Sequence, residues 1–129
     1  MTEEPSVKRH VEPLVVGVDD DLQVRESLEA LMSSAGLTCQ VFASAKEFLG
    51  SKLLSQTTCL IVDVRMSEMD GLALQREIRR QRPETPIVFI SAHYDEELRR
   101  RALAEGAIDF FYKPFDAARL LRTIENTSK

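Results

Sequence analysis

The sequence has no tryptophan, two cysteines, five glycines and five prolines in 129 residues. Each scarcity excludes something. Cys39 and Cys59 fall in no CxxC and no Cys/His metal spacing. That argues against a thiolate zinc site or a disulfide-stapled scaffold and for free thiols in a reducing compartment. No apolar stretch approaches the ~18 residues a membrane-spanning helix needs. Neither sign of charge dominates: 17 basic against 21 acidic residues give a net charge of −4, so broad affinity for nucleic acid or an anionic membrane is not expected. The N-terminal "MTEEPSVKRHVEP" has no signal-peptide apolar region and reads as a short flexible arm over residues 1–13. A cytoplasmic location is the expectation.

What the sequence does have is an alternation. "LVVGV" stops at Asp19-Asp20-Asp21, after which Val24, Leu28, Leu31 and Met32 recur at helical spacing up to Gly36. "TCQVF" reads as a strand, and Ser44 with Glu47 as a capping box for a helix holding Phe48 and Leu49. "TTCLIVD" (57–63) reads as the third strand, followed from Gly71 by a helix with Leu74 and Ile78 inward. "PIVFISA", a helix over 95–105 stopped by Gly106, "AIDFFY", and a last helix with Leu120, Leu121 and Ile124 on one side complete the pattern. Five βα units predict an α/β domain over 14–126, with a short tail at 127–129: a five-stranded parallel sheet with helices on both faces. Strands 1, 3 and 4 have the most continuous apolar runs and belong at its centre.

In such sheets ligands sit at the carboxyl ends of the strands. There the sequence puts Asp19 and Asp20 after strand 1, Asp63 after strand 3, Ser91 after strand 4 and Lys113 after strand 5. Three neighbouring carboxylates repel unless a cation offsets them, and hard oxygen donors suit Mg²⁺. An aspartate beside a divalent cation and a lysine suits phosphoryl chemistry. Each residue alone has a plainer reading: Asp after a strand is usually a turn former or helix cap, Asp21 is expected to cap the first helix or face solvent, and Lys-Pro is usually a turn. The joint pattern outweighs these.

With "VDDD", "DVRMSEMDG", "ISAH" and "FFYKPF" in this order and spacing, the sequence resembles the receiver domain of two-component response regulators, the CheY-like superfamily, and within it FixJ-like receivers, over about residues 14–125. The resemblance implies the (βα)5 flavodoxin-like fold with strand order 2-1-3-4-5. It makes Asp63 the phosphoryl acceptor and Asp19, Asp20, Asp63 and the backbone carbonyl of Arg65 the Mg²⁺ (or Mn²⁺) ligands. Ser91 becomes the switch hydroxyl, Phe110 the switch aromatic, and Lys113 the lysine that pairs with the acidic cluster and then the phosphoryl group, with a cis bond to Pro114. Arg65 and His93, two residues after Asp63 and Ser91, would flank the hydrolytic water and tune the phosphoryl lifetime. One position departs from the pattern: Ser67 follows Met66 where the family has proline.

The function so implied is a phosphorylation-dependent switch, not an enzyme acting on a separate substrate. A sensor histidine kinase or phosphotransfer protein donates to Asp63, and the surface of helix 4, strand 5 and helix 5 changes to control an effector or output domain, with homodimerisation through that surface an option. Arg99, Arg100, Arg101, Arg119 and Arg122 could line it. No membrane partner, and no nucleic acid for this domain itself, is expected. A stand-alone receiver is the first expectation; the alternative is the receiver part of a FixJ- or NarL-like DNA-binding regulator. A haloacid-dehalogenase-type phosphohydrolase would want a second Asp at position 65, and a flavin module a Ser/Thr/Gly-rich loop in place of three aspartates. A pseudo-receiver is argued against by the full set of Asp19, Asp20, Asp63, Ser91 and Lys113.

Overall fold

The computed structural model describes residues 12–66 and 68–127. Most of the expected N-terminal arm (1–11), the end of the tail (128–129) and Ser67 lie outside the described residues. Five strands alternate with five helices: β1 (Leu14–Val18), α1 (Leu22–Ser34), β2 (Thr38–Phe42), α2 (Ala45–Ser51), β3 (Cys59–Asp63), α3 (Gly71–Gln81), β4 (Ile87–Ser91), α4 (Glu96–Ala104), β5 (Asp109–Tyr112) and α5 (Ala117–Thr127). A single 3₁₀ turn, Leu54–Gln56, precedes β3.

The strands pair in the order β2-β1-β3-β4-β5, every pair parallel. The chain therefore leaves β1 toward one side of the sheet and returns on the other. The crevice where a ligand belongs opens between the carboxyl ends of β1 and β3. Strands β1, β3 and β4 are buried throughout, whereas β2 at the edge is partly exposed. This matches their sequences, since only a strand covered on both faces can be apolar at every position.

Alternate strand residues feed two cores. One face packs Val16, Val18, Leu60, Val62, Ile87 and Phe89 against Phe48 of α2, Leu74 and Ile78 of α3, and Ala102 of α4. The other packs Val15, Ile61, Val88, Ile90 and Phe111 against Leu28 and Met32 of α1 and Leu120 and Ile124 of α5. Each fully buried side chain of this size stabilises the fold by about 1.5–3 kcal/mol before entropy is counted, so the sheet is a rigid base for its end loops.

The helix boundaries have local causes. Asp21, Ser44, Asp70 and Asp95 cap α1 to α4, each accepting a hydrogen bond from a first-turn N–H. The capping box differs in detail from the expectation: Ser44 Oγ accepts from Glu47 N, but Glu47 Oε1 reaches back one residue further, to Ala43 N. Gly36 and Gly106 follow α1 and α4 with φ of +75° and +103°, the left-handed turn that ends a helix. Strand 3 is shorter than the 57–63 expected. Thr57 Oγ1 donates to Leu53 O and Thr58 Oγ1 to Leu14 O, so these threonines close the strand's entry rather than extend it. Strand 5 likewise starts at Asp109, two residues later than expected. Among the described residues no helix is long and apolar enough to cross a membrane.

Candidate functional site

Asp19 follows the last residue of β1 and is fully buried. Its N–H donates to Phe42 O and its Oδ1 accepts from Asp21 N at 2.9 Å, which fixes the carboxylate's direction. Oδ2 has no directed hydrogen bond, and Lys113 Nζ stands 3.0 Å away. Asp63, the last residue of β3, is 6% exposed. Its Oδ1 accepts from Arg65 N at 3.2 Å and its Oδ2 lies 3.6 Å from the same Lys113 Nζ. Asp20 is exposed and completes the group: Asp19, Asp20 and Asp63 each offer a carboxylate oxygen within 4.8 Å of the others.

Gly71, at the start of α3, lets this happen. A Cβ there would sit 2.7 Å from Asp63 O and 2.9 Å from Val64 Cα and a Phe89 ring carbon. Without a side chain, Gly71 N donates to Val64 O at 2.8 Å and draws the helix against the strand end.

The electrostatics are unbalanced. Burial, then the Asp19 charge, pushes the Asp63 carboxyl up from 3.8 to about 6, against the pull of Lys113 and the Arg65 N–H. Burial alone would lower the Lys113 ammonium, but its bonds and charge contacts with Asp19 and Asp63 outweigh that and hold it above its ordinary value. One ammonium stands among three carboxylates, 3.0 Å from Asp19 Oδ2 and 3.6 Å from Asp63 Oδ2. Hard oxygen donors and three carboxylates gathered around one ammonium fit a Mg²⁺- or Mn²⁺-sized cation that keeps several waters.

The other predicted residues surround this centre. Ser91 ends β4 and is buried. Its Oγ donates to His93 O at 2.8 Å and accepts from His93 N at 3.2 Å, and its carbonyl accepts from Lys113 N at 2.7 Å. The hydroxyl is thus closed on its own loop. The Lys113–Pro114 peptide is cis. Phe110 is buried, 6.1 Å from the Phe89 ring and edge-on to Tyr112 at 5.3 Å. His93 is exposed, and its ring makes no hydrogen bond among the described residues.

The Arg65 guanidinium points to a residue that sequence reading placed only at the start of a helix: Nη2 pairs with Asp95 Oδ2 at 3.3 Å. The sequence offered Asp95 only as the first residue of a helix, and the structure makes it the N-cap of α4. Its meeting with Arg65, 30 residues away, depends on β3 and β4 lying side by side. Likewise, Tyr94, 76% exposed, stacks on Tyr112 at 4.8 Å, and nothing in the local sequence announced the pair. Of the basic stripe, Arg99 and Arg100 pair with Glu96 and Glu97 of their own helix. Arg119 pairs with Asp109 and lies over the Phe111 ring.

The family model for the response regulator receiver domain matches residues 15–125. Response regulator protein TodT of Pseudomonas putida is 44% identical over 112 residues, covering 87% of this chain and 49% of its own. Among solved structures, response regulator StyR superposes with a TM-score of 0.83 at 42% identity, covering 90% of this chain and 59% of that one. Vibrio cholerae chemotaxis protein CheY4 does so with 0.81 at 26%, covering 90% and 98%. The chain spans about half the length of the curated relatives it matches. Nothing supports the phosphohydrolase alternative: position 65 is an arginine in an ion pair, not the second acid which that chemistry wants. With strand order, acidic cluster and these matches all agreeing, the chain belongs to the response regulator receiver family, the signalling switches of two-component systems.

Proposed function

We propose that Asp63 is the acceptor of a phosphoryl group and that its new charge is the signal this chain passes on. The supporting observation is the position of Asp63: buried at a strand end, beside Asp19 and Asp20, with its Oδ2 3.6 Å from the Lys113 ammonium. An ionised Asp63 oxygen attacks the phosphorus of a phosphohistidine or a small acyl phosphate. The new O–P bond forms as the bond to the donor breaks, and the donor leaves with that electron pair. Attack of water on the same phosphorus returns the free carboxylate, so the only turnover is of the chain's own phosphoryl group.

Asp19, Asp20, Asp63 and the Arg65 carbonyl would hold Mg²⁺ or Mn²⁺, which supplies neutralisation of the phosphoryl oxygens. Lys113 already sits between Asp19 and Asp63 and would shift its contact to the added charge. Ser91 would exchange its bond to His93 O for a phosphoryl oxygen, giving Phe110 space for another rotamer. Arg65 and His93 would set how water reaches the acyl phosphate. The donor is a sensor histidine kinase or phosphotransfer protein in the cytoplasm. The receiver of the signal is an effector or an attached output segment, met through α4, β5 and α5, where a second copy can also dock.

The test is incubation with a small acyl phosphate and Mg²⁺, followed by intact mass. One phosphoryl adduct is expected, absent in Asp63→Asn and absent when the metal is chelated. No adduct under any condition would leave a folded pseudo-receiver.

A further inference from the structure

Asp95 uses its two carboxylate oxygens for two different elements. Oδ1 caps α4, accepting from Leu98 N at 3.1 Å. Oδ2 holds Arg65 Nη2 at 3.3 Å. Arg65 in turn donates its backbone N–H to Asp63 Oδ1. One carboxylate therefore ties the loop that follows Asp63 to the first turn of a helix that begins some thirty residues on.

The rest of the Ser91–Asp95 loop is held elsewhere. Ser91 Oγ closes on His93, and Tyr94 stacks on Tyr112, which meets Phe110 edge-on. The far end of α4 is fastened differently. Gln75 Nε2, fully buried, donates to Ala102 O and Glu105 O, and Arg79 donates to Glu105 O and Gly106 O. The carboxyl end of α4 is thus bound through four hydrogen bonds from α3. Its amino end meets the phosphorylation loop through one partly exposed ion pair.

We propose that Asp95 is a positioning residue that couples charge at Asp63 to α4: a phosphoryl group on Asp63 draws the Arg65 guanidinium off Asp95, and the amino end of α4 loosens while its carboxyl end stays fixed. The proposal rests on Asp63 being the acceptor. The physical cause is competition for one cation. A phosphoryl group brings close to two negative charges and three acceptor oxygens to a carboxylate that already touches the Arg65 backbone. Asp95 offers a single charge on the exposed side of the loop.

The test is hydrogen exchange of the full chain with and without the small acyl phosphate and Mg²⁺, with intact mass reporting the adduct in each sample. In the wild type, phosphorylation should raise exchange at Leu98 and Arg99 about two- to fivefold, the range one exposed ion pair can supply, and leave Glu105 and Gly106 unchanged. Asp95→Asn keeps a capping oxygen and removes the charge. It should exchange faster before phosphorylation and show no further rise after it, although the adduct forms. Arg65→Gln, compared at matched adduct occupancy because this side chain also sets how water reaches the acyl phosphate, should likewise show no further rise, and Arg65→Lys should restore most of the response, which a purely structural role for the side chain would not require. An undiminished rise in adduct-bearing Asp95→Asn and Arg65→Gln would overturn the coupling and leave the acceptor intact. No adduct on the wild type would overturn the acceptor assignment, and the coupling with it.

Discussion

The two edges of the sheet are built on opposite terms. At the amino edge most polar groups are closed off in pairs, Arg82 Nε being buried without a partner. Thr58 Oγ1 both accepts from Leu14 N and donates to Leu14 O at 3.0 Å, Thr57 is bonded to Leu53, and Arg79 spends its guanidinium on the carbonyls of Thr85, Glu105 and Gly106. At the carboxyl edge a single ammonium, Lys113, serves both Asp19 and Asp63 beside the exposed Asp20, and Asp63 is held well above its ordinary carboxyl range by burial and by Asp19. One edge serves the fold; the other carries charge that the fold alone does not satisfy. The lesson is that a receiver's function is legible as like charge gathered at one end of the sheet.

Substitutions sharpen this contrast. Asp63→Asn should abolish the phosphoryl adduct, while Thr58→Val at the other edge should leave its yield unchanged by intact mass. Lys113→Ala strands the buried Asp19 charge and should cost about 3 kcal/mol in urea unfolding, with part of the loss recovered by excess Mg²⁺; no recovery would argue against a cation site. Gly71→Ala forces a methyl against Asp63 O and Val64 Cα and should cost about 2 kcal/mol while slowing phosphorylation, because the strand end that carries Asp63 must shift. Thr58→Val should cost only about 1 kcal/mol, with phosphorylation kinetics as in the wild type.

Much of this was readable in the residues themselves. The central strands declared themselves because Leu14–Val18, Cys59–Asp63 and Ile87–Ser91 are buried at every position, and a continuous apolar run needs no partner to be recognised. The acidic group was visible because Asp19, Asp20 and Asp63 fall where apolar runs stop. Strand ends were less clear: the β-branched Thr57 and Thr58 look like strand but spend their hydroxyls on neighbouring carbonyls. Asp95 and the Tyr94–Tyr112 stack were not readable, because their partners are brought by strand order and register, which no local window contains. The order 2-1-3-4-5 itself came from likeness to a family and not from periodicity.

The most direct test of the contrast between the edges is the stability of Asp63→Asn as a function of pH, without metal. In the folded protein the Asp63 carboxyl is raised from 3.8 to about 6, so the folded state holds this proton more tightly than the unfolded chain. Its contribution to stability is fully present below about pH 3.8 and is lost as pH rises through about 6. Removing the charge should therefore make Asp63→Asn more stable than the wild type at pH 8, on the order of 3 kcal/mol, with the two converging near pH 4. A variant equal to or less stable than the wild type at pH 8 would mean that Asp63 is satisfied by the fold, and would contradict the account.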